Sequence, residues 1–442
     1  MGSKEVFAAE FSTDRLVTLF NERIEVGSKA LGKDGINVEA FKAGLDREVE
    51  VIRRKIFDKS YRFTGYKQRL ISKGATKYPR EISVATVRDR LVLRALCNVL
   101  MQIFPETLLP APQAYVREIS ELLDRADDGF SFVQIDIKDF YPSIRHDLML
   151  RRVRAKVRYP PMLKLIEEAL KTPTGLARAL NSREKGIPQG LSISNILSSI
   201  YMNAIDGKMK EATTYFRYVD DILIICPDSE ASRLFRSTEG RLKAAGLECH
   251  SIKPGSKSKI ASTSESVDYL GYKISKNMIS VRSSSFKRMI DNIIKVITEF
   301  KYKKNHKRLI LRINLKITGC IIENKRYGWM FFFSQTRDMS QLARLDAFIA
   351  KHVSKFSPEN VNMLKTYIKT FHEIRYNIHD TKYVPKYDKY SFDQKVKMIS
   401  ELYGTTEEDI RSRDEQTVEN LFRRLVKREI SELEKDLAEA FS

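Results

Sequence analysis

Between Phe216 and Ile225 the chain runs Phe-Arg-Tyr-Val-Asp-Asp-Ile-Leu-Ile-Ile, two adjacent carboxylates set where two apolar strands meet. In an ordinary turn such a pair is solvated. Here the flanks read as a buried hairpin, and burying two carboxylates without a cation is costly. A bound metal resolves the conflict. A third acid, Asp136, ends the apolar strand Ser131–Ile135. Asp139 follows it closely and is expected to point elsewhere or to form a salt bridge, so it is not counted as a ligand. The fold must therefore bring a strand end and a hairpin tip together from distant sequence. Carboxylates on such rigid positions suit hard cations like magnesium. Two such ions about 4 Å apart assist displacement at phosphorus by activating a hydroxyl and neutralising the leaving charge.

Composition narrows the partners. The 442 residues carry 78 Lys and Arg against 57 Asp and Glu, a net charge of +21. An excess of that size attracts polyanions, with counterion release supplying affinity. No apolar run approaches the ~20 residues that span a bilayer, so no membrane partner is expected. The N-terminal segment lacks the basic-then-apolar order of a secretory signal. Cys97, Cys226, Cys249 and Cys320 are scattered, without a Cys-x-x-Cys pair. That pattern argues for free thiols in a reducing cytoplasm rather than a zinc site or disulfide framework.

Residues 1–60 read as helical, with Phe41, Leu45, Val49 and Ile52 on one face. Short basic strand-like runs occupy 61–84, and Val87 to Phe104 has helical periodicity, stopping before Pro105. Residues 146–180 read as helical and basic. A Gly-Ile-Pro-Gln-Gly turn at 186–190 feeds an apolar helix from Ser194 to Ile205. Beyond 283 the chain becomes long, basic and helical, densest in charge from Lys301 to Arg312. A last helix spans Ser412 to Phe441, with Ser412 and Glu415 as its capping box.

Taken together, these pieces resemble the reverse transcriptases of bacteria and retroelements, in the family's order over about residues 31–280. Tyr218-Val219-Asp220-Asp221 looks like motif C, and the run from Asp136 through Tyr141 to Ile144 looks like motif A. Lys185 to Leu191, with Ser192 and Asn195, resembles motif B. Arg80 to Val84 with Asp89-Arg90 resembles the early fingers motifs, and Gly32 to Ile36 an N-terminal element of non-retroviral members. Leu270-Gly271-Tyr272 resembles the primer-grip hairpin.

The resemblance implies roles. Asp136, Asp220 and Asp221, with the Ile137 backbone carbonyl, would hold two Mg2+ ions, for which Mn2+ could substitute. Tyr141 would be a steric gate against ribonucleotides, the alternative being a core aromatic. Gln189 and Gly190 would line the pocket for dNTPs, and Lys73 and Arg80 would clamp the triphosphate. Lys253 matches the motif D lysine that protonates pyrophosphate, with Lys257 and Lys259 as competitors and His250 structural. Leu270, Gly271, Tyr272, Lys303, Lys304, Lys307 and Arg308 would contact nucleic acid. For Phe331 to Phe333 a core position is favoured over base stacking.

The implied fold is α+β, a right-hand polymerase. An N-terminal helical element (1–60) precedes fingers and palm (61–282), an antiparallel sheet with packed helices. The fingers take about 61–130 and 146–190. A helical thumb and C-terminal extension (283–442) follows, RNA-binding in its first half. The expected activity is cDNA synthesis from an RNA template. Arg326 to Ser334 looks like the thumb extension of defence-associated and unknown-group enzymes, which implies a dedicated structured non-coding RNA and antiphage defence. The alternatives are a mobile-element enzyme akin to group II intron proteins, and an RNA scaffold with a vestigial site. Assembly into a homo-oligomer is left open.

Overall fold

The structure, a computed structural model, describes residues 2–72, 78–175 and 184–437. The chain divides into two compact units, Met1–Leu109 with Ser131–Ile260, and Pro110–Phe130 with Ala261–Ser442.

In the first unit, helices Ser3–Glu10, Thr13–Leu19, Val38–Ala43 and Leu45–Phe57 share a core with the longer helix Val87–Ile103. Leu45–Phe57 buries Val49, Ile52 and Ile56, the three- and four-residue spacing that sets one apolar stripe facing inward. Thr86 caps the helix Val87–Ile103, and its hydroxyl donates to Asp89 at 2.8 Å. Asp89 is buried but also accepts from the Tyr61 hydroxyl at 2.7 Å and the Thr64 amide at 3.1 Å. That satisfies the carboxylate, although burial still raises its pKa.

Strands β1 (Lys67–Ile71) and β2 (Arg80–Val84) form an antiparallel ribbon. β3 (Phe130–Lys138), β4 (Thr214–Tyr218), β5 (Asp221–Pro227) and β6 (Glu248–Cys249) build the main sheet in the order β4-β5-β3-β6, with β7 (Lys259–Ser262) also paired to β3. β3 runs past Asp136 to Lys138 rather than ending on it. The apolar helix also runs longer than its pattern suggested, Ser194–Ala212. Burial of Ile222, Leu223, Ile224 and Ile225 confirms the reading of β5 as a core strand.

In the second unit, β8 (Val267–Tyr269), β9 (Tyr272–Ile274) and β10 (Ile279–Val281) make a three-stranded antiparallel sheet. Helices Ser283–Lys303, His306–Thr318, Met339–Val353, Tyr367–Tyr376, Phe392–Tyr403 and Glu415–Leu437 follow, interrupted by the hairpin β11 (Cys320–Ile322) and β12 (Lys325–Tyr327). Trp329 and Phe331 to Phe333 are buried, as their core reading expects. The last helix starts later than read from the sequence. Asp414 accepts from the Thr417 amide at 2.8 Å and so caps it, whereas Ser412 ends the preceding short helix Glu407–Arg411.

Residues 110–130 and 261–282 pack with this second unit, although the sequence groups them with the fingers and palm. Long-range ion pairs within the unit account for this. Arg337 grips Asp124 at 2.7 Å, and Lys276 pairs with Asp128 at 2.6 Å. Neither pairing has a local sequence signal. Among the described residues no helix is long and apolar enough to cross a membrane.

Gly319 joins helix His306–Thr318 to β11 at φ +63, and a Cβ there would lie 2.0 Å from the Tyr327 carbonyl oxygen. No rotamer relieves a clash with backbone. Gly319→Ala should therefore cost more than about 2 kcal/mol and lower the urea midpoint for unfolding. An unchanged midpoint would contradict this packing.

Candidate active site

The hairpin β4–β5 turns through Val219 and Asp220, since Tyr218 pairs directly with Asp221. A two-residue turn matched to strand twist needs positive φ, and Val219 sits at φ +59. For a β-branched residue this is a strained conformation, worth about 1–3 kcal/mol, that surrounding contacts must hold. Both turn carbonyls are held. The Val219 oxygen accepts from Arg217 Nη1 at 2.9 Å, and the Asp220 oxygen accepts from the Ile137 amide on β3 at 3.1 Å.

This last bond joins the hairpin tip to Asp136. Along β3 a residue's N–H and C=O leave on the same edge, so the Ile137 carbonyl also faces the turn. The Asp136 amide donates to Ser258 Oγ at 3.1 Å, and its carbonyl accepts from the His250 amide at 3.0 Å. The Asp136 carboxylate meets Lys257 Nζ at 3.0 Å and His250 Nε2 at 3.2 Å.

The three carboxylates repel one another. Burial raises the Asp220 pKa, with the Asp136 charge adding to it. Asp221 is held well above the usual carboxylate range by burial, then by Asp220 and Asp136. Its Oδ1 is fully covered and has no hydrogen-bond partner. Among the described residues no three His, Cys, Asp or Glu side chains are gathered ready to hold an ion. Magnesium commonly takes one or two carboxylates plus substrate phosphates, so a complete protein cage is not required. An orphaned buried carboxylate oxygen beside two further carboxylates fits that donor chemistry.

Beside the carboxylates lies a cavity of about 510 Å³ lined by Arg80, Arg94, Tyr141, Gln189, Gly190 and Asn195, among others. The Tyr141 hydroxyl donates to Asn195 Oδ1 at 2.6 Å, which fixes the ring against the cavity. Burial pushes its pKa up to about 12. The motif B turn is docked on β2, where the Ser83 amide donates to the Gln189 carbonyl at 2.7 Å. Gly190 has φ +94, and a Cβ there would lie 2.7 Å from Ile82 Cγ2. Two guanidinium groups in one cavity suit a polyphosphate.

The structure thus places Asp136, Ile137, Asp220 and Asp221 together, with Arg80, Tyr141, Gln189 and Gly190 around the adjoining cavity. Lys73 lies outside the described residues. Lys253 is exposed in a turn and stands on none of the carboxylates, while Lys257, its competitor, does. His250, expected to be structural, reaches the same carboxylate. Asp139 is exposed at φ +40 and is not part of the group.

The nucleic-acid contacts need correction. Leu270, Gly271 and Tyr272 are all buried, because the tight β8–β9 turn folds into its own unit and the Tyr272 hydroxyl donates to the Phe332 carbonyl. Arg308 is turned inward to the Leu402 carbonyl at 2.8 Å, leaving Lys304 and Lys307 exposed. The side chain of Lys303 is outside the described set. Sequence reading missed Arg217 and Arg94. A charged residue within the buried strand β4 was the available signal for the first; Arg94, on a mostly apolar helix, had none.

Gly190→Ala should push the motif B turn off β2 and weaken nucleotide binding about tenfold, roughly 1.4 kcal/mol. A KM for nucleotide equal to that of the unmodified protein would show that this turn does not shape the cavity.

Residues 71–274 match the family described as "Reverse transcriptase (RNA-dependent DNA polymerase)". Protein YkfC of Escherichia coli is 23% identical, aligned over 57% of this chain and 78% of its own length. An uncharacterized 91 kDa protein in a cob intron of Schizosaccharomyces pombe is 25% identical over 42% of this chain, which spans only 23% of that protein. Among solved structures, a Candida albicans telomerase in complex with a fragment of telomeric RNA is 12% identical, covering 76% of this chain and 66% of its own. Its TM-score is 0.42, a partial likeness. Residues 71–274 thus match a reverse transcriptase domain, whose activity is RNA-directed DNA polymerisation.

Proposed function

We propose that the chain makes cDNA from a dedicated structured non-coding RNA in the bacterial cytoplasm, using dNTPs and two Mg2+ ions, and that it serves antiphage defence. The observation that carries the catalytic part is the junction of β3 with the β4–β5 turn, where a buried oxygen of Asp221 has no hydrogen-bond partner and feels the charges of Asp220 and Asp136. Asp136, Asp220 and Asp221, with the Ile137 carbonyl, would hold the ions, with Mn2+ as a substitute. Bound there, the ions would lower the pKa of the attacking hydroxyl and neutralise the leaving charge.

The chain's own residues do the rest. Arg80 and Arg94 bind the triphosphate by charge-assisted hydrogen bonds. Tyr141, fixed by Asn195, excludes a ribose 2′-hydroxyl. Lys257 stands where it can compensate the Asp136 charge and is better placed than Lys253 to act near the leaving group. The excess of +21 and the exposed Lys304 and Lys307 support binding of RNA by the second unit.

A mobile-element role is the second reading, supported by the intron location in the name of the fission-yeast relative. The two part on the bound nucleic acid. Sequencing RNA and cDNA that copurify yields a short locus-encoded RNA with repeated products in the first case and an intron in the second.

Asp220→Ala with Asp221→Ala should cut nucleotide incorporation by more than about a thousandfold, several kcal/mol of barrier, while RNA retention persists. Synthesis at the original rate would sink the metal assignment. Tyr141→Ala should raise ribonucleotide use relative to deoxynucleotides by about tenfold or more. An unchanged ratio in primer extension would return Tyr141 to a plain core role.

A further inference from the structure

Arg217 is a buried cation at the centre of the mostly buried strand β4, its side chain only 2% exposed. Its guanidinium is fully directed. Nε and Nη2 donate to both oxygens of Asp206, at 2.8 and 2.6 Å, and Nη1 donates to the Val219 carbonyl at 2.9 Å. Asp206 also accepts from the Tyr215 hydroxyl at 2.9 Å, so the carboxylate is fixed before Arg217 reaches it. A planar fork held on one side presents its other donors in set directions. One of these, Nη1, meets the turn peptide whose backbone is strained, Val219 at φ +59, immediately before Asp220.

Asp206 lies on helix Ser194–Ala212. The same helix carries Asn195, which holds Tyr141, about 16 Å away at 1.5 Å rise per residue. One rigid rod therefore bears on the nucleotide cavity at its N-terminal end and, through Asp206 and Arg217, on the carboxylate turn further along.

We infer that Arg217 is a positioning residue for the reaction, clamping the strained Val219 peptide to Asp206 so that Asp220 and Asp221 stay aimed at the site beside the nucleotide cavity. The inference rests on the assignment of these carboxylates to catalysis. Misplacement of reacting groups by about 1 Å can cost about a hundredfold in rate, so the effect belongs in kcat rather than in nucleotide KM.

Removing Arg217 alone would leave the mostly buried Asp206 charge without its cation, and such a variant could fail simply by unfolding. The test therefore uses Asp206→Asn with Arg217→Met, which removes both charges and leaves an amide oxygen for Tyr215. Three quantities are measured against the parent protein: the melting temperature without metal, Mn2+ binding by electron paramagnetic resonance, and steady-state dNTP incorporation. The expected result is a melting temperature within a few degrees, Mn2+ bound at least threefold more weakly, and kcat about 30- to 100-fold lower with KM within about threefold. Adding Val219→Gly, which takes positive φ without strain, should restore at least tenfold of the lost kcat. A folded double variant with parental kcat and Mn2+ affinity would overturn the inference, and so would a loss that Val219→Gly leaves uncorrected. If the parent protein incorporates no nucleotide, the catalytic assignment fails by itself, while the Mn2+ arm still decides whether Arg217 sets the turn.

Discussion

Repulsion among Asp136, Asp220 and Asp221 is the constraint on which the surrounding structure depends. Each is partly withdrawn from water; the Asp136 charge raises the cost of ionising Asp220, and both raise that of Asp221. A fold that sought only stability would place apolar residues at these strand ends. Instead, β3 and the β4–β5 turn are tied directly by the Ile137–Asp220 backbone bond, which brings the segments that carry the carboxylates together. Their charge is met in part by protein cations, Lys257 on Asp136 in particular. A lysine is a single point charge on a flexible stem, so it offsets one carboxylate without satisfying the buried Asp221 oxygen.

Much of this was legible in the sequence because it rests on local pattern. Acid residues interrupting apolar strands announced Asp136 and the Asp220-Asp221 pair, and the motif resemblance assigned Tyr141 and Gln189 to the nucleotide pocket, where both line the cavity. The fold class followed from the resemblance of the ordered motifs to reverse transcriptases. What stayed hidden depends on tertiary placement. Lys253, Lys257 and Lys259 are indistinguishable by spacing, and only the course of the loop before β7 brings Lys257 to Asp136. Arg308 looked like one more cation in a basic run, yet helical geometry turns it toward the Leu402 carbonyl while Lys304 and Lys307 stay in solvent.

The Tyr272 correction has a similar origin. A Leu-Gly pair between short strands signals a tight turn, and the turn is there, with Leu270 and Gly271 both at positive φ. Whether such a turn presents its residues or hides them depends on what covers it. In this structure Tyr272 stacks among Phe332 and Phe333 and spends its hydroxyl on a backbone carbonyl. Aromatic residues near basic segments therefore divide here between core and surface without any difference in local composition, as the buried Trp329 and the exposed Tyr302 also illustrate.

Strain at Val219 gives the site a second organising feature besides charge. A glycine at that position would adopt positive φ without strain and would need no clamp. Valine restricts the peptide, and the chain supplies a buried ion pair to hold it in the disfavoured basin. Buried ion pairs are weak sources of stability compared with apolar packing of the same volume. The Arg217–Asp206 pair is thus poorly explained as a stabilising element and well explained as a directional one, since its geometry leaves one donor aimed at the peptide that carries Asp220. Charge crowding determines which residues must meet, and the clamped turn determines how closely they are held when they do.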